Sequence, residues 1–333
     1  MDGSILWSTD LVFRFQEFAA WLHDPMEVIT FFGAEDWFLL FVSLIFWSIN
    51  KRLGIDLGVL LIATGAVNTF TKCLFKHPRP FWLDPTLGSD PIRSFSLPSG
   101  HAQTSTVLYG NLARHVGRGG RAGPSRLLSV VGLIVFILLV SLSRIILGVH
   151  FPGDVLVGIG VGLITLLVYA WARRVLGGWL AGRTLLQHVV MATLVGGLLL
   201  GLNLLALSLP VRDTGAWALL HAEGIRTSMN EAANLTGLVI GLWIGLALEA
   251  RYVRFTVAGP AWQRTVRYVV GVLGILAIWM GLRLIFPSEP LALGLALRIL
   301  RYGLTMFWAI YIWPALFVRV GLGSRAIDSA PNA

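Results

Sequence analysis

Charge is scarce in this 333-residue chain. Asp, Glu, Lys and Arg together make up 13% of it, against about 25% in an average soluble domain. Hydrophobic residues reach 56%, and the mean hydropathy is +0.76. This excludes an ordinary soluble domain or a disordered tail and leaves an all-α fold, a polytopic transmembrane helical bundle, because a helix satisfies its own backbone polar groups in lipid. Cysteine is nearly absent: Cys73 stands alone, so no internal disulfide can form, and it reads as a small buried apolar residue. The formal net charge is +9, but the arginines sit in short clusters between apolar runs. No basic face suited to nucleic acid emerges; the expected partner is the phospholipid bilayer. Met1 to Asp10 carry two acids and no base, which argues against a cleavable signal peptide.

Leu11, Phe15, Phe18 and Leu22 recur at helical spacing with Trp7 and Trp21 alongside. Residues 1–27 therefore read as an amphipathic segment, either lying in the membrane interface or leading in against the bundle. Apolar stretches follow at 37–49, 55–75, 101–116, 127–147, 153–175, 184–208, 233–250, 266–286 and 303–318. Most approach the roughly 20 residues that cross a bilayer core. The first is short and follows Glu35 and Asp36. The third is only moderately apolar, with Gln103, Thr104, Ser105, Thr106 and Asn111, as a central helix shielded from lipid would be. Residues 291–301, broken by Arg298 and Arg301, read as a half-helix or the start of the last span.

Two further patterns concern packing and orientation. Gly158/Gly162, Gly197/Gly201 and Gly237/Gly241/Gly245 form small-xxx-small rows that let helices approach closely, within the bundle or across a homodimer face. Alternating nine spans gathers fifteen of the 26 basic residues on one side with only Asp56, Glu249 and Asp328. The positive-inside rule makes that side cytoplasmic. Arg283 and Arg298 lie in or near apolar segments, a costly placement that calls for ion pairs, snorkelling or a cavity.

Three polar motifs return to the opposite side. Lys72-Cys-Leu-Phe-Lys-His-Pro-Arg79-Pro80 closes the second span, where Pro78 and Pro80 should end the helix near Lys76. By itself it reads equally as basic residues reaching for headgroups. Pro98-Ser99-Gly100-His101 opens the third span. Ser99 suits an N-cap, Gly100 lets the backbone approach a ligand, and the unpaired N–H groups of a helix start form a phosphate cradle. His101 there stands where a proton donor to a leaving oxygen is needed. Ser143-Arg144-Ile-Ile-Leu-Gly-Val-His150-Phe-Pro-Gly-Asp154 links spans four and five. Asp154, four residues after His150, can hold one imidazole nitrogen and leave the other as a nucleophile, while the fork of Arg144 suits phosphate oxygens. Cations, backbone N–H groups and two histidines on one face are what phosphoryl transfer through an imidazole requires. Asp154 is the sole acid within the motifs, so neither metal nor cofactor is expected.

These segments resemble the three-part signature of the type-2 phosphatidic acid phosphatase (PAP2) superfamily, Lys-x6-Arg-Pro, Pro-Ser-Gly-His and Ser-Arg-x5-His-x3-Asp, with no fixed position missing. The resemblance implies a catalytic core over residues 28–178, about five spans, followed by an extension of about four spans over 179–333. It makes His150 the nucleophile, Asp154 its orienting carboxylate and His101 the acid and base. Lys72, Arg79, Ser99, Gly100 and Arg144 then hold the phosphate. It further implies hydrolysis of a membrane lipid phosphate or diphosphate, with a phosphotransferase or a hydrolase of a soluble phosphate ester as the alternatives. Phe81-Trp82-Leu83-Asp84-Pro85 resembles bacterial members, which implies a cytoplasmic membrane with the site facing outward.

Overall fold

In the computed structural model, residues 5–88, 92–118, 123–211 and 214–326 are described. Arg121 and Asp328, counted in the loop charges above, lie outside them. Thirteen α-helices are found there: α1 Thr9–Phe18, α2 His23–Phe31, α3 Glu35–Leu44, α4 Lys51–Phe75, α5 Pro80–Leu83, α6 Gly100–Arg118, α7 Pro124–Ile146, α8 Pro152–Ala181, α9 Leu185–Ser208, α10 Ala218–Leu248, α11 Ala261–Ile285, α12 Leu291–Phe307 and α13 Trp313–Arg319. Seven helical stretches among the described residues are long and apolar enough to cross a membrane. Ala20–Phe31 and Glu35–Ile49 form a further apolar pair, bent by 45° at the break between them. The polar helix anticipated at the third position is α6, which is not among those seven. Residues 291–301 open the last span: α12 continues through a π-helical turn at Trp308–Ile312 into α13. Helix α10 begins at Ala218, well before the apolar run, because its first turns carry His221, Glu223 and Arg226.

The described residues form two compact units. The first comprises residues up to Phe38, Ala63–Val175 and Asn203–Ser228. Its centre is α6, whose Gln103, Ser105 and Thr106 are buried. For Gln103 the polarity is answered locally: the Asn68 amide of α4 donates to its Oε1 at 2.8 Å and to the Pro98 carbonyl at 3.3 Å. Helix α8 lies tight against α6. A Cβ at Gly158 would stand 2.7 Å from the Ser99 carbonyl oxygen, and one at Gly162 3.0 Å from that of Gln103. The N-terminal segment packs on this unit, with Val12 fully buried beside Leu87 and Phe151, while Phe18 and Trp21 remain exposed.

The second unit comprises Leu39–Ile62, Leu176–Leu202 and the residues from Met229 onward. Its core gathers Trp47, Phe255, Trp313 and Phe317, and polar groups buried beside that core are paired. The Trp47 indole donates to the Ala309 carbonyl at 2.9 Å, and Arg267, fully buried, donates to the carbonyls of Leu322 and Ala258 at 2.5 and 2.6 Å. Lys51 and Glu249 form an ion pair at 2.5 Å, and Glu249 also accepts from the Phe255 N–H at 3.1 Å.

Two of the three glycine rows are consumed inside the chain. Gly158/Gly162 serve α8 against α6, and Gly237/Gly241 seat α10 against α12, where added Cβ atoms would collide with the carbonyl oxygens of Ile299 and Gly303. Gly197 and Gly201 meet nothing within 4 Å among the described residues. The α10–α12 contact yields a paired test. Gly241→Ala should lower the thermal-unfolding midpoint in detergent, at an overpacking cost of about 1–3 kcal/mol. Gly281→Ala, with nothing within 4 Å of its Cβ, should leave the midpoint unchanged or slightly raised.

Candidate active site

All eight residues singled out by the motifs lie in the first unit, and its helix ends bring the chemistry-bearing groups together. Helix α4 stops at Phe75, and Lys76 takes a left-handed conformation (φ 46°) as the chain turns toward Pro78. Lys72, in the last turn of α4, is buried with its ammonium 3.5 Å from Ser94 Oγ. Arg79, just before α5, is 2% exposed. Its guanidinium is fixed by the Ser94 carbonyl at 2.7 Å, the Val149 carbonyl at 2.9 Å and Ser94 Oγ at 3.1 Å. Lys76 does not join them: its ammonium donates to the Ala206 and Leu209 carbonyls, tying down the end of α9.

The loop between α7 and α8 carries His150. Its turn depends on Gly148, at φ +68°, where a Cβ would collide with the Leu87 oxygen. Pro152 then opens α8, and Asp154 in its first turn reaches back to the Phe151 N–H at 3.0 Å, the reciprocal half of a capping box. The same carboxylate accepts the Ser96 hydroxyl proton and, at 3.2 Å, the Trp7 indole N–H.

This arrangement sets the tautomer of His150. Its Nδ1 is 3.1 Å from Ser96 Oγ and 3.5 Å from Asp154. Since Ser96 gives its only proton to Asp154, the proton on the imidazole side must be Nδ1–H, donated to Ser96 Oγ. Nε2 then carries the lone pair, and it faces the Arg79 guanidinium at 3.3 Å. Burial first, and then the positive charges of Arg79, Arg144 and Lys72, hold the His150 pKa well below the ordinary imidazole value. The ring is therefore kept neutral.

His101 lies in the first turn of α6, with its Cδ2 2.9 Å from where a Cβ on Gly33 would stand. It is near enough for its charge to act on His150. Arg144, at the end of α7, donates through Nη1 to Thr30 Oγ1 at 2.5 Å, and its carbonyl accepts the N–H groups of both Val149 and His150. Ser99 precedes α6, but its side chain makes no cap. Its Oγ is buried and has no hydrogen-bond partner among the described residues, which leaves it available to an incoming oxygen. Among the described residues, no group of three or more His, Cys, Asp or Glu could hold a metal ion.

Ser96 and Trp7 escape sequence reasoning. Ser96 lies in an irregular loop without periodicity, three residues before Ser99 of the second motif. Trp7 sits 147 positions from the carboxylate it binds, and nothing in its local sequence points there. Aromatic packing around Trp82, Phe95 and Trp217 walls the same region, and Arg93 pairs with Glu223 at 2.7 Å.

Comparison with known proteins agrees with the motifs. Residues 53–178 match the family model described as PAP2 superfamily, and residues 233–325 match the PAP2 superfamily phosphatase, transmembrane extension. The chain is 30% identical over 161 residues to phosphatidylglycerophosphatase B of Haemophilus influenzae, covering 36% of this chain and 66% of that protein. It is 28% identical over 143 residues to sphingosine-1-phosphate phosphatase 2 of Mus musculus, covering 42% of this chain and 40% of the relative. The matches thus span about two thirds of the first relative and less than half of the second. No solved structure matches. With a complete three-part signature, a core model and an extension model on successive parts of one sequence, the chain belongs to the PAP2 superfamily.

Proposed function

We propose that this chain is a membrane phosphatase that cleaves phosphate from a lipid-linked monoester or diphosphate through a phosphohistidine intermediate. The observation that carries the reading is the setting of His150: its Nδ1 lies against Ser96 and Asp154, and its Nε2 faces the Arg79 guanidinium. A bare imidazole nitrogen among Arg79, Lys72 and Arg144 is suited to attack phosphorus while those cations take up the charge on the equatorial oxygens. Nε2 forms the N–P bond as the P–O bond to the leaving group breaks, and His101 supplies the proton to the departing oxygen. In the second half, water attacks phosphorus, His101 takes its proton, and the N–P bond breaks to release inorganic phosphate. Asp154 stabilises the Nδ1–H of the charged ring through both steps, directly and through Ser96. The Ser99 hydroxyl and the Gly100 N–H complete the phosphate cradle.

Three considerations support a lipid substrate on the extracytoplasmic face. The site is built on membrane-spanning helices. Both relatives are named for lipid phosphates. With the nine expected spans alternating, the basic loops fall on the side away from the motifs, which the positive-inside rule makes cytoplasmic.

His150→Ala should abolish phosphate release from lipid phosphates such as phosphatidate while the protein stays folded, and should remove the acid-labile, alkali-stable label that 32P-substrate leaves on the protein. His101→Ala should slow turnover about 10²–10⁴-fold. Full activity in His150→Ala would refute the mechanism. A phosphate ester that cannot cross the membrane should be hydrolysed when added outside right-side-out vesicles; hydrolysis only after the vesicles are opened would reverse the sidedness.

The pH profile offers an independent check. Because the His150 pKa is depressed, the neutral nucleophile persists to lower pH, and the acid limb of kcat/KM should fall below the ordinary imidazole value of about 6.5. Arg79→Gln removes one of the depressing charges, so its limb should move up in pH as its rate falls. A limb that stays in place, with the substrate's own titration common to both enzymes, would separate Arg79 from the ionisation of His150.

A further inference from the structure

Away from the catalytic groups, the second unit contains a pocket of about 440 Å³ where the end of α11 meets the beginning of α12. Its lining includes Trp279, Arg283, Ser288, Arg298, Arg301 and Tyr302, and it contains no carboxylate. Three guanidiniums thus share the wall of one cavity, set in helices with a strongly apolar surface. Arg283 and Arg301 in that wall attract an anion.

Arg301 is the most buried of the three. It is 7% exposed, yet its Nε has no hydrogen-bond partner among the described residues. Its guanidinium lies 5.1 Å from the ring of its neighbour Tyr302. Arg283 similarly lies 5.7 Å from the Trp279 ring. A guanidinium presents a planar fork of donors, and aromatic contact satisfies its face without using that fork. Arg301 thus lines the cavity while its Nε is buried without a hydrogen-bond partner among the described residues.

We propose that this pocket is a binding site for a phosphate-bearing anion, held by Arg283 and Arg301 with Arg298 alongside, and distinct from the group that His150 attacks. The volume falls in the range of small-ligand sites, about 300–1,000 Å³, and exceeds what a bare phosphate fills. Phe286 and Leu297 also line the pocket and give it an apolar part along which an acyl chain could run. Phosphate chemistry is common to a phospholipid headgroup and to a soluble phosphate, and the assay separates the two sources. The pocket's chemistry is independent of what His150 does.

The test uses the full-length protein in detergent and native mass spectrometry with three probes: phosphatidylglycerol, phosphatidylcholine and inorganic phosphate. Phosphatidylglycerol is a phosphodiester and so is spared by a monoesterase. The expected result is retention of phosphatidylglycerol over phosphatidylcholine, weakened about tenfold to a hundredfold by Arg301→Gln, the loss of one charge-assisted hydrogen bond. Arg283→Gln, at an exposed position, should weaken retention in the same direction and covers the case in which the buried variant does not fold. Retention of phosphate alone, sensitive to the same substitutions, would assign the site to a soluble anion. Equal retention of both lipids with no phosphate bound, or retention unchanged in the folded arginine variants, would overturn the proposal.

Discussion

The carboxylate of Asp154 is the point on which the first unit converges. Left alone in so buried a place it would be expensive to ionise. It is made tolerable by two donors from distant parts of the chain, the Trp7 indole and the Ser96 hydroxyl, and by the nearby Phe151 backbone N–H. Those donors also commit its geometry, so the orientation of the His150 ring follows from how α8 starts. The helix cap and the imidazole tautomer are thus one structural decision. A change that loosens the first turn of α8 acts on the His150 ring even though it touches neither that residue nor the cations around it.

The same logic governs other polar groups that sit among apolar helices. Asn68 donates to Gln103 and to the Pro98 carbonyl. Arg267 spends donors on the backbone carbonyls of Leu322 and Ala258. Lys51 and Glu249 neutralise each other. In each case the partner is specific and close, as a medium without water demands. The pocket between α11 and α12 differs from these: no carboxylate is among its lining residues, and the Arg301 Nε has no hydrogen-bond partner among the described residues. A site already satisfied from within has nothing to offer a ligand, and this one retains a donor.

Much of the candidate site is legible in the sequence because its residues fall into motifs of fixed local spacing. Lys72, Arg79, Ser99, Gly100, His101, Arg144, His150 and Asp154 sit at or near helix ends where proline and glycine fix the chain's direction, and such signals survive in a linear sequence. The polar third helix can be recognised for a similar reason, since Gln103 and its neighbours make sense only when shielded from lipid. Lys76 misleads by its spacing alone: one turn beyond Lys72, it resembles another phosphate ligand but is anchored to Ala206 and Leu209. The Ser99 position suggests a cap that its side chain does not form. The roles of Ser96 and Trp7 cannot be read at all, because they arise from tertiary contact with Asp154 and not from local spacing. The start of α10 is hidden because charged turns at a membrane edge look like loop until a helix is seen to carry them.

The Trp7–Asp154 hydrogen bond also has a meaning in time. Its two partners are separated by 147 positions, so during synthesis the indole emerges long before the carboxylate it will hold. At roughly 5–20 residues per second the interval is about seven to thirty seconds. Late in that interval Lys72, Arg79 and His101 are already made, but His150 and its carboxylate are still to come. The hydrogen-bonded set around Asp154 is therefore completed late and all at once, when α8 begins, rather than built up as the chain grows.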